Sequence, residues 1–533
     1  MLFNSVTFVI LFLPLCLAAY YMTAALGGPR AAGWCLVLFS TIFYGWLNPQ
    51  FVVLLYGSVL FNYTLGALIL KRVDQEAQQK WLLLTGIALN VGLLFYFKYF
   101  FSLLHWLDGL GFPVTAGVQS VVLPIGISFF TFTQIGYLVD CQAGMVKERN
   151  FLNYLLFVLF FPHLIAGPIV HHKEMIPQFA KPETYRLKVD NIAIGLVLFS
   201  MGLFKKAVIA DHFAPIAKVA FESSDLTSFA AWGGVLAYSL QLYFDFSGYS
   251  EMAIGLARMF GILFPANFNS PYKAVSIIDY WQRWHMTLTR YLTLYIYNPI
   301  ALRIARRRMA AGLAVSKEAT RSPGGFASMI MLPTLVTITL AGIWHGAGLQ
   351  FLVFGLLHGL YLCANHAARA WWPKRHLVAP YARQLITLGK VALTYSCVLV
   401  AQVFFRASSI DNALDVLHSM AGLTPYVPSP NPHPTYDFIE SILRDTGHDI
   451  GPWLLQLRFD APLTLALGYC IVWGLPNALE VMAKARPSLT PIETHASLLQ
   501  WRPTISWGLG MGLMAATAML AIAGTKEFLY FQF

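Results

Sequence analysis

An ionisable ring closes one of the apolar runs of this chain: Trp344-His345-Gly346 follows residues 329–343, which carry no charge. Such a ring is costly to hold at membrane depth and marks a functional position by default. A neutral imidazole among apolar groups can accept a proton from a hydroxyl, which is general-base chemistry. Gly342, Gly346 and Gly348 permit a bend or the close approach of a second helix, and Trp344 supplies a bulky wall. The same triplet would also suit a buried histidine that merely hydrogen-bonds a carbonyl.

A second concentration of such residues is 276–291, with Asp279, Trp281, Trp284 and His285. It reads as one amphipathic helix. Ser276 with Asp279 three positions on forms a capping box, and Trp281, His285 and Leu288 share a face while Arg283, Thr287 and Arg290 lie elsewhere. Upstream, Asp245 interrupts an apolar run, and an intramembrane carboxylate needs a partner. It either serves the chemistry or ties helices together. His358 and His366, eight apart on another apolar run, and His163, His171 and His172 near loops read as structural; none has a companion at metal-ligand spacing, so no metal site is expected. A serine nucleophile of the Gly-x-Ser-x-Gly kind is absent: the sequence around Ser128 lacks the last glycine and that around Ser247 the first.

The elements that must position these groups belong to a membrane. Hydrophobic residues make up 57% of the 533 and charged residues 11%, against about 25% charged in soluble domains. A hydrocarbon core of about 30 Å takes about 20 apolar residues per helix. Apolar runs near 6–26, 31–47, 51–70, 81–106, 119–138, 192–220, 229–247, 326–344, 349–371, 386–405, 461–483 and 504–523 predict an all-α integral membrane protein with eleven to thirteen spans in a single polytopic domain, 1–533.

The net charge of +11 is not a nucleic-acid signal, because the basic residues sit in short loops between runs and report orientation. The alternation puts the N-terminus outside, Lys71, Arg72, Lys80, Lys147 and Arg149 inside, residues 222–225 outside, Arg303 to Arg321 inside, and the polar stretch 407–460 outside. One segment breaks the pattern. Residues 151–169 are apolar enough to cross, yet crossing would put Lys173, Lys181, Arg186 and Lys188 outside. With Pro162 and Gly167-Pro168 inside it, the segment reads as re-entrant or peripheral, where irregular backbone survives against protein or a water-filled cavity.

The first run lacks a basic leader and continues apolar past Ala18-Ala19, so it reads as a span rather than a cleaved signal. Six cysteines without paired spacing predict neither disulfides nor zinc. The ending, residues 527–533, departs from a protease-tag scar and is taken as native. No internal repeat supports a two-fold transporter. The polar stretch 407–460 is too short for a catalytic domain, and its prolines at 425, 428, 430, 432 and 434 suggest an outward docking surface at 426–436.

Six motifs carry a resemblance. They are Tyr243-Phe244-Asp245-Phe246-Ser247-Gly248-Tyr249-Ser250, Tyr280-Trp281-Gln282-Arg283-Trp284-His285, Trp344-His345-Gly346-Ala347-Gly348, the run 161–169, Gly202-Leu203-Phe204-Lys205-Lys206 and Phe404-Phe405-Arg406-Ala407. Together they resemble the membrane-bound O-acyltransferases, and within them the bacterial branch that acetylates exported polysaccharides such as alginate and cellulose. The resemblance covers nearly the whole chain; Glu251 stands where the motif has Asp and preserves the charge.

It implies helices around a central tunnel, with His345 as the catalytic histidine and His285 as a second polar position, either catalytic or positioning. The inner-side assignment of His285 would separate it from His345 by a good part of the membrane. Trp344, Asp245, Trp281, Trp284 and Asp279 are the expected tunnel or substrate residues. Acyl transfer from a thioester needs a base, alignment and exclusion of water. The implied donor is cytoplasmic acetyl-CoA, with no permanently bound cofactor. Arg303, Arg306 and Arg307 suit its phosphates, although anionic inner-leaflet lipid would attract the same cluster. The implied setting is the bacterial inner membrane with a periplasmic N-terminus. A periplasmic acetyltransferase and a polysaccharide synthase and export complex are the implied partners. D-alanyl or longer-chain transfer stays open, as does a non-enzymatic transporter or scaffold, which would need no buried His345.

Overall fold

The computed structural model describes residues 1–47, 49–112, 114, 122–147, 149–223, 226–372, 380–423, 461–492, 499–522 and 529. Among them every regular element is helical. Backbone polar groups in hydrocarbon must be satisfied within their own segment, which is why so apolar a chain folds this way. Among the described residues seven stretches are long and apolar enough to cross a bilayer: Thr7–Gly45, Gln50–Lys71, Glu76–Gly109, Val189–Glu222, Pro323–His345, Leu349–Trp371 and Tyr381–Arg406. The protein is a multi-pass, all-α integral membrane protein.

The twelve apolar runs thus resolve into fewer long elements. Runs 6–26 and 31–47 join in Thr7–Gly45, broken at Gly28 (φ 76°, ψ −174°) just before Pro29. Run 229–247 lies within the longer helix Ser228–Met259, which includes the acidic Asp245 and Glu251. Runs 119–138, 461–483 and 504–523 yield helices of 16, 14 and 17 residues, Ile127–Gln142, Ala461–Gly474 and Ile505–Ala521. Apolarity along a run does not distinguish a crossing helix from one buried among others.

The described residues form two compact units. The first comprises Met1–Phe204, Ser247–Asn267 and Ala478–Gln532. Its helices approach closely where small residues permit: a Cβ at Gly66 would lie 2.6 Å from the Tyr137 ring. Asn62 and Asn90 exchange side-chain amide hydrogen bonds at 3.2 and 2.7 Å, each satisfying the other away from water. Within 151–169 the helix Phe151–Leu159 has nine residues, about 14 Å of rise, too short to cross. It breaks at Phe160 (ψ 109°), and the N–H of Phe161 finds Ser40 Oγ at 3.2 Å. Protein therefore meets the backbone group that the break releases.

The second unit comprises Lys205–Phe246 and Phe268–Asn477. It contains His285, His345 and His358. Helices Leu332–His345 and Leu349–Trp371 form an antiparallel hairpin: Gly342 lies against Gly355, and Gly359 lies against Leu335. Of the polar stretch 407–460, residues 407–423 are described and carry the amphipathic helix Ile410–Met420, capped by Ser409. The expected docking surface at 426–436 lies outside the described residues, as does the C-terminal motif apart from Leu529.

Candidate active site

His345 is the last residue of its helix, and the chain turns extended at Gly346. A side chain at Gly346 would occupy the Phe351 ring, and one at Gly342 would come within 2.6 Å of Gly355. The glycines flanking His345 are therefore the condition for the hairpin that buries it. Nδ1 of His345 lies 2.6 Å from the carbonyl oxygen of Ala341, one turn back. A carbonyl only accepts, so Nδ1 carries the hydrogen and the neutral ring keeps its lone pair on Nε2. Trp344, Phe405 and Phe354 meet the ring edge-on, at centroid distances of 4.7, 5.2 and 6.0 Å. Trp344 thus walls His345 directly.

The single helix expected over 276–291 is not formed. Ile277–Trp281 and Met286–Leu292 are separate, and His285 stands between them in the left-handed region (φ 43°, ψ 51°). Left-handed backbone at a non-glycine residue costs about 1–2 kcal/mol and needs tertiary support. Here the N–H of Asn269 donates to the carbonyl of Arg283 at 2.9 Å. Thr289 Oγ1 reaches back across the break to the carbonyl of Trp281 at 3.0 Å. The start of the segment follows the capping pattern in part. Ser276 Oγ accepts from the N–H of Asp279, but Asp279 Oδ2 accepts from the N–H of Val275 rather than from Ser276.

The break turns His285 into an aromatic pocket, 4.7 Å from Phe246 edge-on and 6.5 Å from Phe268. His285 follows Trp281 by four positions; the Trp281 indole reaches His358, and Phe354 meets both His358 and His345. Trp281 and Trp284 leave the segment in different directions. The indole N–H of Trp281 donates to Nδ1 of His358 at 3.3 Å. Trp284 lies parallel to Tyr280 at 5.8 Å and to Tyr272 at 6.3 Å. His358, read from sequence as structural, therefore belongs to the cluster. Its eight-residue spacing from His366 carries no ligand pattern, and only its place on the Leu349–Trp371 helix, one turn beyond Phe354, aims it there.

Asp245 finds the partner that its burial demands. Lys206 Nζ lies 2.6 Å from Asp245 and 2.8 Å from Asp211, all three side chains being buried. Lys206 sits in a π-helical turn, Lys205–Ala210, a deviation that re-aims side chains and recurs at functional sites. The carboxylate thus ties helices together. Asp279 spends its other oxygen on Arg283 Nε at 2.7 Å and serves its own loop. Arg303, Arg306 and Arg307 stand exposed on the helix Asn298–Ala310 and make no contact with the histidines among the described residues. No group of three side chains suited to a metal ion occurs among those residues.

A neutral imidazole with its hydrogen on Nδ1, walled by aromatic rings, has the chemistry to accept a proton at Nε2. The sequence pattern of the membrane-bound O-acyltransferase family matches residues 141–315, which include Asp245 and His285 and stop short of His345. Over 452 residues, 79% of this chain and 80% of the relative, the chain is 39% identical to the peptidoglycan O-acetyltransferase of Helicobacter pylori. It is 33% identical over 553 aligned positions, the full length of both chains, to the probable alginate O-acetylase AlgI of Pseudomonas putida. To the teichoic acid D-alanyltransferase of Bacillus subtilis it is 28% identical over 277 residues, 51% of this chain and 65% of that one. The chain belongs to the membrane-bound O-acyltransferase family and is an O-acyltransferase.

Proposed function

We propose that the protein passes an acetyl group from cytoplasmic acetyl-CoA across the bacterial inner membrane for O-acetylation of an exported or cell-wall polysaccharide, with His345 as the base. The observation that carries this reading is the hydrogen bond from His345 Nδ1 to Ala341, which leaves Nε2 as the basic atom. The relatives named for alginate and peptidoglycan O-acetylation support a glycan acceptor. In this reading Nε2 takes the proton of the attacking hydroxyl as its oxygen joins the acetyl carbon, and returns it to the departing thiolate. His285 positions the reactants from its aromatic pocket, and Trp344 walls the acyl path. Arg303, Arg306 and Arg307 draw the anionic donor to the cytoplasmic side, the N-terminus being periplasmic. A periplasmic acetyltransferase working with the synthase and export complex completes delivery.

Donor competition in proteoliposomes tests the proposal. Labelled acetyl-CoA, longer acyl-CoA and a D-alanyl carrier protein are offered on the cytoplasmic face. Release of CoA from the acetyl donor, with label reaching an acceptor on the opposite face, supports it. Preference for the D-alanyl carrier would overturn the acetyl assignment, and the teichoic acid relatives make that comparison necessary.

A further inference from the structure

His358 is a further buried histidine of the second unit, and its part is argued on the acyl-transfer reading above. Its Nδ1 accepts from the Trp281 indole, so the neutral ring bears its hydrogen on Nε2. His345 is held in the complementary tautomer, hydrogen on Nδ1 and lone pair on Nε2. Two buried imidazoles of one unit therefore both present Nε2, as a donor in His358 and as an acceptor in His345. Phe354 meets both rings, at 6.0 Å from His345 and 4.8 Å from His358.

His358 is also held rigidly. Tyr280 lies parallel to it at 6.0 Å and 8°, Trp284 to Tyr280 at 5.8 Å and 12°, and Tyr272 to Trp284 at 6.3 Å and 9°. The residue is 1% exposed, and among the described residues no acceptor meets its Nε2–H. An N–H with no acceptor among the described residues is available to a bound group. A column of rings that fixes it supplies the preorganisation that stabilising a developing charge requires.

We infer that the Nε2–H of His358 holds the carbonyl oxygen of the thioester and stabilises the oxyanion formed beside His345. The acceptor hydroxyl loses its proton to His345 Nε2 as its oxygen bonds to the carbonyl carbon. The carbonyl π pair moves onto oxygen, where His358 donates its hydrogen bond without giving up the proton. Collapse re-forms the C=O bond and breaks the C–S bond, and the thiolate takes the proton from His345.

The test combines kinetics with a readout independent of turnover. Full-length protein in proteoliposomes is assayed with acetyl-CoA as His358→Leu, His358→Gln, Trp281→Phe and His345→Ala. Loss of one oxyanion donor costs about 10²–10³-fold in kcat, so His358→Leu is expected to fall by that factor. KM and the midpoint of the pH profile should stay unchanged, because His345 still titrates. His358→Gln, which restores an N–H, should recover at least about tenfold of that loss. Nitrogen-15 histidine spectra should show His358 protonated on Nε2 in the wild type and a tautomer mixture in Trp281→Phe. Activity of His358→Leu within twofold of wild type, or a wild-type hydrogen on Nδ1, overturns the inference. So does a loss that Gln fails to rescue and that tracks a lower melting temperature. Wild-type protein no more active than His345→Ala would instead contradict the acetyl-transfer reading, and the tautomer spectrum would still judge the donor role of His358.

Discussion

At the scale of residues, the proposed chemistry depends on which nitrogen of each histidine carries its hydrogen. The Ala341 carbonyl fixes His345 and the Trp281 indole fixes His358. Trp281→Phe should therefore lower kcat while leaving His345 in place, which steady-state kinetics with the acetyl donor would read. His345 was legible in the sequence because a histidine inside an apolar run is costly wherever the chain folds. His358 was not, since its part depends on an indole 77 positions earlier in the chain. Asp245 announced its need of a partner but not the partner's name. Lys206 supplies it, and replacing Lys206 with Met would leave two carboxylates buried without their cation. The expected cost is about 3–5 kcal/mol, visible as a lower melting temperature in detergent. Adding Asp211→Asn and Asp245→Asn should recover part of it.

At the scale of elements, the hairpin of Leu332–His345 and Leu349–Trp371 is the scaffold of the site. Its tightness comes from Gly342, Gly346 and Gly355, whose hydrogens lie against the facing helix. Gly346→Ala should force the Phe351 ring aside at a cost of about 1–3 kcal/mol, and lower transfer by moving His345. Melting and kcat measured on the same preparation would show both effects, while transfer at wild-type rate would mean that the turn is not what aligns His345. The hairpin follows readily from the sequence, where two apolar runs flank a glycine-rich turn. The break at His285 does not, because the 3.6-residue pattern of 276–291 continues through it. What stops the helix is tertiary: the contact of Asn269 with Arg283, the stacking of Trp284 on Tyr272 and the pocket of Phe246 and Phe268 around His285. Local periodicity carries none of those contacts.

At the scale of the whole molecule, composition alone established the membrane class, and loop charges predict a topology that labelling single cysteines from each side tests. Cysteines placed beside Lys71 and Arg149 should react only from the cytoplasm, and one beside Ser223 only from the opposite face; reversed labelling would invert the proposed direction of transfer. Counting spans was harder, since helices such as Ala461–Gly474 are apolar yet too short to cross upright. Replacing Arg303, Arg306 and Arg307 with Ala should raise KM for acetyl-CoA about tenfold in neutral-lipid vesicles with kcat unchanged. An effect seen only in anionic lipid would assign the cluster to the membrane surface. The most direct test of the account compares wild type with His345→Ala in proteoliposomes supplied with labelled acetyl-CoA, scoring CoA released and acetyl product formed. A fall in kcat of about 10²–10⁴-fold, with the variant still folded and still binding acetyl-CoA, is the predicted result. Equal turnover by the two proteins would contradict it.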